Sequence, residues 1–423
     1  METVITVSAL GALIGLVISI IFIFLNLKPF YSLFIGALIG GLVGGASLSE
    51  TIQLMTQGSQ GMVTSILRIL AAGTLAGVLI QSGAAKSIAY SIVKALGTER
   101  ALLAIVISTT ILTFVGVFID IAVITVAPIA IEIGRQSGIS KTGILIAMIG
   151  GGKSGNIMSP NPNAIAVSDA FGVPLTNVML AGVIPALIGI VVTYFVASQL
   201  KGKGTSLLDN LEEENLETQD LPSLFQSLSG PIVAIILLSL RPLFNIVIDP
   251  MIALPLGGLV GAFVLGKFDQ IIEFSSYGIE KMTNVAIILL GTGLIAGIIS
   301  NSTLGDVIVE GVQALGLPAF LLAPISGILM SAATASTTSG SAVASSVFGN
   351  TIISSGVSPL SGAAMVHAGA TVLDHLPHGS FFHATGGSVS MKFKERLGLI
   401  PFESLIGLVL TIVSALIYGV IFK

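Results

Sequence analysis

The sequence predicts an all-α polytopic membrane protein of two inverted-topology repeats, with broken helices and re-entrant hairpins. Three observations predict it. Apolar residues make up 53% of the 423 and charged residues 9%, with a mean hydropathy of +1.03, against about 25% charge in a water-soluble domain. Segments of the first half return in the second half in the same order. Basic residues change loops between the halves, as they must if the halves lie in the bilayer upside down relative to each other.

A helix needs about 20 apolar residues to cross a bilayer. By that rule the spans are 4–25, 31–45, 63–80, 101–118, 178–197, 231–248, 252–265, 285–299, 319–330 and 402–421. The first starts with Glu2 and has neither a basic leader nor a small-residue cleavage pattern, so it reads as a helix and not a signal peptide. Between the spans lie 121–134, 143–171, 332–353 and 362–389, too rich in Gly, Ser, Thr, Asn or Pro for simple crossings. Cysteine is absent, which excludes disulfides and cysteine-based metal sites. Tryptophan is absent too, so no aromatic belt marks the interfaces.

The repeat runs at an offset of 217 to 220 residues. Gly40-Gly41-Leu42-Val43-Gly44 returns as Gly257-Gly258-Leu259-Val260-Gly261, and Gly58 with Met62 as Gly278 with Met282. LAGVLIQSG from Leu75 answers IAGIISNST from Ile295, Lys94-Ala95-Leu96-Gly97 answers Gln313-Ala314-Leu315-Gly316, and Ser137-Gly138-Ile139-Ser140 answers Ser355-Gly356-Val357-Ser358. This divides the chain into a first transmembrane repeat, 1–198, an acidic solvated linker, 199–229, and a second repeat, 230–423. With the linker and Lys28 in the cytoplasm, 13 of the 17 basic residues fall on that side, and both termini lie outside.

Irregular backbone at membrane depth is tolerated where it is buried in protein or lines a polar cavity. The stretch GGGKSGNIMSPNPNA from Gly150 is of that kind, and AGATVLDHLPHGSFFHATGG from Ala368 is its counterpart, with Pro377 opposite Pro160. Helix N-termini facing a shared cavity suit a small anion. Lys153, an ionisable group within the membrane, is expected to neutralise the anion's carboxylate. Ser154, Asn156, Ser159, Asn161 and Asn163 are expected to hydrogen-bond its hydroxyls or fix the broken helix ends, with Ser339, Gly340, Ser341 and His378 completing the cavity from the other repeat. Asp120, in an apolar run, suits a proton carrier, the alternative being a structural ion pair with Lys153. Arg68 suits either snorkelling or a structural pair. His367, His375, His378 and His383 cluster with Asp374 within one short segment. Asp374 and His375 are expected to handle protons. No metal is expected, because Pro377 breaks the helical spacing and HExxH is absent. The run SAATASTTSGSAVASS from Ser331 suits close helix packing or a polar path.

These residues together resemble the gluconate:proton symporter (GntP) family, within the wider ion transporter superfamily, over nearly the whole chain. The resemblance is carried by FVGVFIDIAVITVAPIA, by SPNPNAIAVSDAFG and by HAGATVLDHLPHGSFFH, and it marks Asp120, Ser159, Pro160, Pro162 and Asp169. Where many gluconate-type members have His-Pro-Gly-Pro, this chain has Asn161-Pro162-Asn163-Ala164. The family's substrates include other sugar acids, hydroxy acids and D-serine. The superfamily resemblance implies a homodimer, a scaffold, and a transport domain that moves as an elevator.

The resulting expectation is a secondary active transporter and not an enzyme: a proton-coupled symporter of a small organic anion in the bacterial inner membrane. It needs no cofactor beyond the coupling ion. Its partners are the substrate and the lipid bilayer, not nucleic acid. A sodium-coupled symporter of the same fold is the alternative, and an anion channel or an intramembrane hydrolase is a further one.

Overall fold

A computed structural model describes residues 6–25, 27–207, 221–314, 316 and 318–422. The regular structure of these residues is helical, apart from an isolated bridge between Val7 and Ser302. The helices of the first half are α1 (Ala9–Phe24), α2 (Pro29–Val43), α3 (Leu48–Gln60), α4 (Val63–Gln81), α5 (Ala84–Leu96), α6 (Ala101–Phe114), α7 (Ile119–Gln136), α8 (Lys141–Asn156), α9 (Pro162–Ala170) and α10 (Leu175–Leu200). Those of the second half are α11 (Leu224–Phe244), α12 (Pro250–Val264), α13 (Ile271–Ser300), α14 (Leu304–Ala314), α15 (Leu322–Thr334), α16 (Thr337–Ser354), α17 (Pro359–Gly369), α18 (Ser380–Ser388), α19 (Phe393–Leu397) and α20 (Ile400–Ala415).

Element boundaries keep step along the chain. Helices α7, α8 and α9 start at 119, 141 and 162, and α16, α17 and α18 start 218 residues later, at 337, 359 and 380. A 3-10 turn precedes α6 and another precedes α15. The step is lost in two places: 271–300 is one helix, whereas 48–81 is broken at Gly61 and Met62 into α3 and α4, and 175–200 is one helix, whereas 393–415 is divided into α19 and α20.

Several spans are shorter than hydropathy predicts. The helical stretches Val63–Gln81, Leu175–Leu200, Leu224–Phe244, Phe268–Ser300 and Phe393–Ile421 are long and apolar enough to cross a membrane, and Ala84–Leu96 with Thr98–Phe114 is a pair bent by 102°. Ala9–Phe24, Pro29–Val43, Pro250–Val264 and Ala319–Thr334 have 17 residues or fewer, or about 26 Å at 1.5 Å per residue. Apolar composition counts residues in turns and bridges along with those in helices. Val7, for example, extends the apolar run but donates its backbone N–H to Asn301 O at 2.8 Å, ahead of the Ser8 cap of α1.

The helices form two packing groups. In one, α13 packs on α2, α3 and α4, with α12 also on α4, α1 on α2 and α11 on α12. In the other, α8 packs on α6, α7 and α10, α16 on α9, α15 and α17, and α20 on α10 and α17. The α4–α13 seam is a backbone contact: a Cβ on Gly278 would lie 1.8 Å from the carbonyl oxygen of Gly73. Small residues let membrane helices approach this closely, where dispersion and not hydrophobicity drives association. The groups meet where α4 touches α9 and α13 touches α16.

The linker is docked at both described ends, not simply solvated as expected. Lys201 and Thr205 accept the backbone N–H groups of Ser140 and Lys141 at the start of α8, and Leu207 is buried against Gly134. At the other end Ser87 of α5 donates to Pro222 O at 2.5 Å. The acidic run expected to be solvated, 208–220, lies outside the described residues.

Candidate functional site

The last two turns of α8 are GGGKSGN, and their glycines remove the bulk that would hold neighbours away. A Cβ on Gly155 would lie 2.1 Å from Thr110 O, and one on Gly151 2.4 Å from Val106 O. The Lys153 stem therefore enters the interior, and the side chain has 0% exposure. Its Nζ donates to Thr371 O and to Asp374 Oδ1, both at 2.5 Å, and lies 3.0 Å from His375 Nδ1. An ammonium has three N–H donors, and three acceptors surround this one.

The acceptors belong to the break between α17 and α18, at 370–379. Asp374 Oδ2 accepts from Thr337 Oγ1, the first residue of α16, at 2.5 Å. His375 Nε2 faces Ile400 O and Ser404 Oγ, each at 3.1 Å. Glu403 Oε2 is 3.9 Å from His375 Nδ1, and Glu403 is ion-paired with Arg396, which also donates to Phe382 O and packs over the Phe382 ring at 4.7 Å. All five ionisable side chains are buried. Buried charges persist when paired and hydrogen-bonded, and here the network joins the two halves of the chain.

The break between α8 and α9 is equally enclosed. Asn161 caps α9 through Ala164 N at 3.0 Å and donates from Nδ2 to Asn156 O and Oδ1. Asn163 Oδ1 accepts from Thr338 Oγ1 at 2.5 Å, so the first turns of α9 and α16 meet. Ser154 Oγ donates back to Gly150 O, and Ser336 caps α16 at Ser339 N. Among the described residues, Asn156 Nδ2, Ser159 Oγ and Ser341 Oγ are buried without a partner.

Other expected residues are placed apart. Asp120 lies half-buried in the first turn of α7, where its Oδ1 accepts from Ile121 N at 2.9 Å. The alternative ion pair between Asp120 and Lys153 is corrected: Lys153 takes its counter-charge from Asp374. His378 holds Ala333 O and tilts against Phe24, while His383 faces Pro377 O. His367 is buried with Nε2 unpartnered. No group of three or more His, Cys, Asp or Glu that could hold a metal occurs among the described residues.

A cavity of about 390 Å³ opens between the two packing groups. Helices α3 and α4 and the C-cap of α13 contribute Gln57, Ser65 and Asn301, and α9 and α16 contribute Asp169, Ser345 and Asn350. Asp169 accepts from Ser65 Oγ at 2.6 Å and pairs with Arg68, whose guanidinium also pairs with Asp249, the N-cap of α12. None of the residues singled out for binding from the two broken segments lines this space, whereas Asp169, marked by the family resemblance, does. The signal for the rest was Arg68, a charge inside an apolar span, together with the hydroxyl run that ends at Ser346.

Helices long and apolar enough to span a membrane, broken helices that meet each other, and a polar cavity between two packing groups fit a polytopic membrane transporter. The family described as GntP family permease matches residues 4–421. A transporter of Haemophilus influenzae is 61% identical over 98% of this chain and 99% of its own. A gluconate permease of Pseudomonas aeruginosa is 25% identical over 97% of each chain. The solved structure of the Alcanivorax borkumensis YdaH transporter shares the fold, with a TM-score of 0.67 at 15% identity over 88% of each chain. The chain belongs to the GntP family of permeases.

Proposed function

We propose that the protein is a secondary active transporter that carries a small organic anion, a gluconate-like sugar acid or hydroxy acid, together with protons across the bacterial inner membrane. The observation that carries this reading is the cavity between the packing groups. Its 390 Å³ lies in the range of small-molecule pockets, and its lining of amides and hydroxyls matches a polyhydroxylated solute. Arg68, paired with Asp169 of the cavity wall and with Asp249, is the cation we assign to the solute's carboxylate. The similarity to a gluconate permease supports the substrate class.

The recurrence of element starts at 218 residues supports two repeats, and a cavity on the boundary between groups supports an elevator in which the α9 and α16 group slides past α4 and α13. Val7 bonded to Asn301 places the start of the described chain beside the C-terminal end of α13. The linker end at Pro222 instead precedes α11, whose Gln226 reaches Val264 next to the start of α13, about 45 Å away along that helix. This supports the start of the chain and the linker on opposite sides, in keeping with a proposal of both termini outside and the linker inside. Asn156, Ser159 and Ser341 are unpartnered donors ready for a solute once the junction opens, and Asp374 with His375 remains the proposed proton group. Lys153, enclosed and neutralised, acts in this reading on that junction. A homodimer, implied by the superfamily, completes the proposal.

The test is uptake of radiolabelled gluconate by proteoliposomes of the purified protein. An inside-alkaline pH gradient is expected to drive accumulation above the external concentration. Accumulation driven by sodium alone overturns proton coupling, equilibration without accumulation marks a channel, and absence of uptake removes gluconate from the substrate class.

A further inference from the structure

The tautomer of His375 follows from its neighbours. Nε2 lies 3.1 Å from Ile400 O, which only accepts, so Nε2 carries a proton. Nδ1 then lies between the Lys153 ammonium at 3.0 Å, which only donates, and Asp374 Oδ1 at 2.9 Å, which only accepts; in a neutral imidazole protonated at Nε2 it is bare and accepts from Nζ. A second proton on His375 would set two cations 3.0 Å apart in a buried site, against the single shared oxygen Asp374 Oδ1, at 2.9 Å from Nδ1 and 2.5 Å from Nζ. That proximity sets the charges of Lys153 and His375 against each other.

The second arrangement is already equipped. Ser404 Oγ is 3.1 Å from Nε2 and, as a hydroxyl, accepts from it or donates to it. If Nζ passes a proton to Nδ1 and Nε2 gives its proton up to water, then Lys153 becomes a neutral amine that accepts from Nδ1–H, and Ser404 turns to donate to bare Nε2. Nζ, Nδ1 and Nε2 hold four protons before this step and three after it, the fourth going to water. Ser404 is half-exposed, and Lys153 has no exposure at all, so the proton leaves through the imidazole.

We propose that within the Asp374–His375 proton group the proton itself is shared by Lys153 and His375, with Asp374 as counter-ion, that this one proton-loading site is relayed through the imidazole to Ser404, and that the coupling proton rides there. The coupling role rests on the symport reading above. The other charges facing the pair are Asp374, its counter-ion, and the Glu403–Arg396 ion pair on α20 and α19. From α16 comes the hydroxyl of Thr337, from α6 that of Thr110, which bonds Gly151 O, and from α10 that of Thr193 beside Gly150. Asp120 of α7 stands one residue from Ile119, which packs on Gly152, and His383 of α18 is tied to Pro377 O. With the proton aboard the site is neutral; without it the site carries one negative charge, which disfavours an anion nearby. That is the sign needed for symport of a proton with an anion.

The test is ¹⁵N NMR of histidine-labelled protein, with the His375 signal assigned by its loss in His375→Gln. In the wild type Nδ1 is expected to be bare and Nε2 protonated, with the proton moving to Nδ1 on alkalinisation. In Lys153→Met, Nδ1 is expected to be protonated throughout, because Asp374 then faces it alone. A doubly protonated wild-type His375, or an Nδ1 indifferent to Lys153→Met, overturns the shared site. Coupling is read separately in proteoliposomes. The ratio of gluconate uptake with and without a pH gradient is expected to fall to one in His375→Gln, and a wild-type ratio there overturns the coupling role. A wild-type protein that ignores the pH gradient overturns symport and with it the coupling role, while the NMR result still decides the shared site.

Discussion

A lysine with no exposed surface stands or falls with its three acceptors. Replacing it strands Asp374, and loss of one partner of a buried ion pair costs about 3–5 kcal/mol. Lys153→Met is therefore expected to lower the melting temperature in detergent, and Lys153→Met with Asp374→Asn, which removes the stranded charge, is expected to recover part of the loss. No recovery in the double variant would show that Asp374 is not the group left stranded. Lys153 could be picked out in the sequence because a charge among glycines at membrane depth is conspicuous. Its counter-ion could not: Asp120 and Asp374 are both acids in apolar surroundings, and only the meeting of α8 with the 370–379 break chooses between them.

At the scale of elements, glycine does two jobs that look alike in a sequence. Gly278 lets two helix backbones touch, whereas Gly311 of α14 has nothing within 4 Å of its missing Cβ. Gly278→Ala must displace the Gly73 carbonyl, and overpacking of this kind costs about 1–3 kcal/mol. Gly311→Ala is expected to stabilise the protein by about 0.4–1 kcal/mol, through helix propensity and a less free unfolded chain. Thermal melts of the two variants moving in the same direction would contradict the α4–α13 seam. The break at 157–161 could be read from Pro160 and Asn161 and from Pro162 just beyond it. The break before α16 could not, because Ala335 adopts φ 45 there although nothing about an alanine announces it. Its left-handed turn is set by packing, with Gly379 so close that a Cβ there would lie 2.6 Å from Ala335 O. Helix lengths were similarly hidden, since hydropathy reads composition and not where hydrogen bonding stops.

At the scale of the molecule, a sliding boundary and an inverted repeat each make a measurable claim. Ser346 Oγ of α16 lies 3.6 Å from Met62 Sδ beside α4. In this cysteine-free chain, Met62→Cys with Ser346→Cys is expected to be bridged by mercury or oxidation and to stop uptake at least tenfold, with recovery on reduction; undiminished uptake by the bridged protein would rule out sliding here. Cysteines placed singly at Lys203 and Thr303, both exposed, are expected to label from opposite faces of the membrane, and labelling from one face would dismiss the assignment of termini and linker. The Lys153–Asp374 pair also sets a timetable for biosynthesis. Its members are 221 residues apart, and a ribosome adding about 5–20 residues per second needs roughly 10 to 45 s to get from one to the other. Through that interval the nascent first half carries an ammonium whose counter-ion does not yet exist, so the end of α8 has to wait near water or lipid headgroups. Its final seating is a late event, and any chain terminated before residue 374 presents quality control with a charge it has no means to hide.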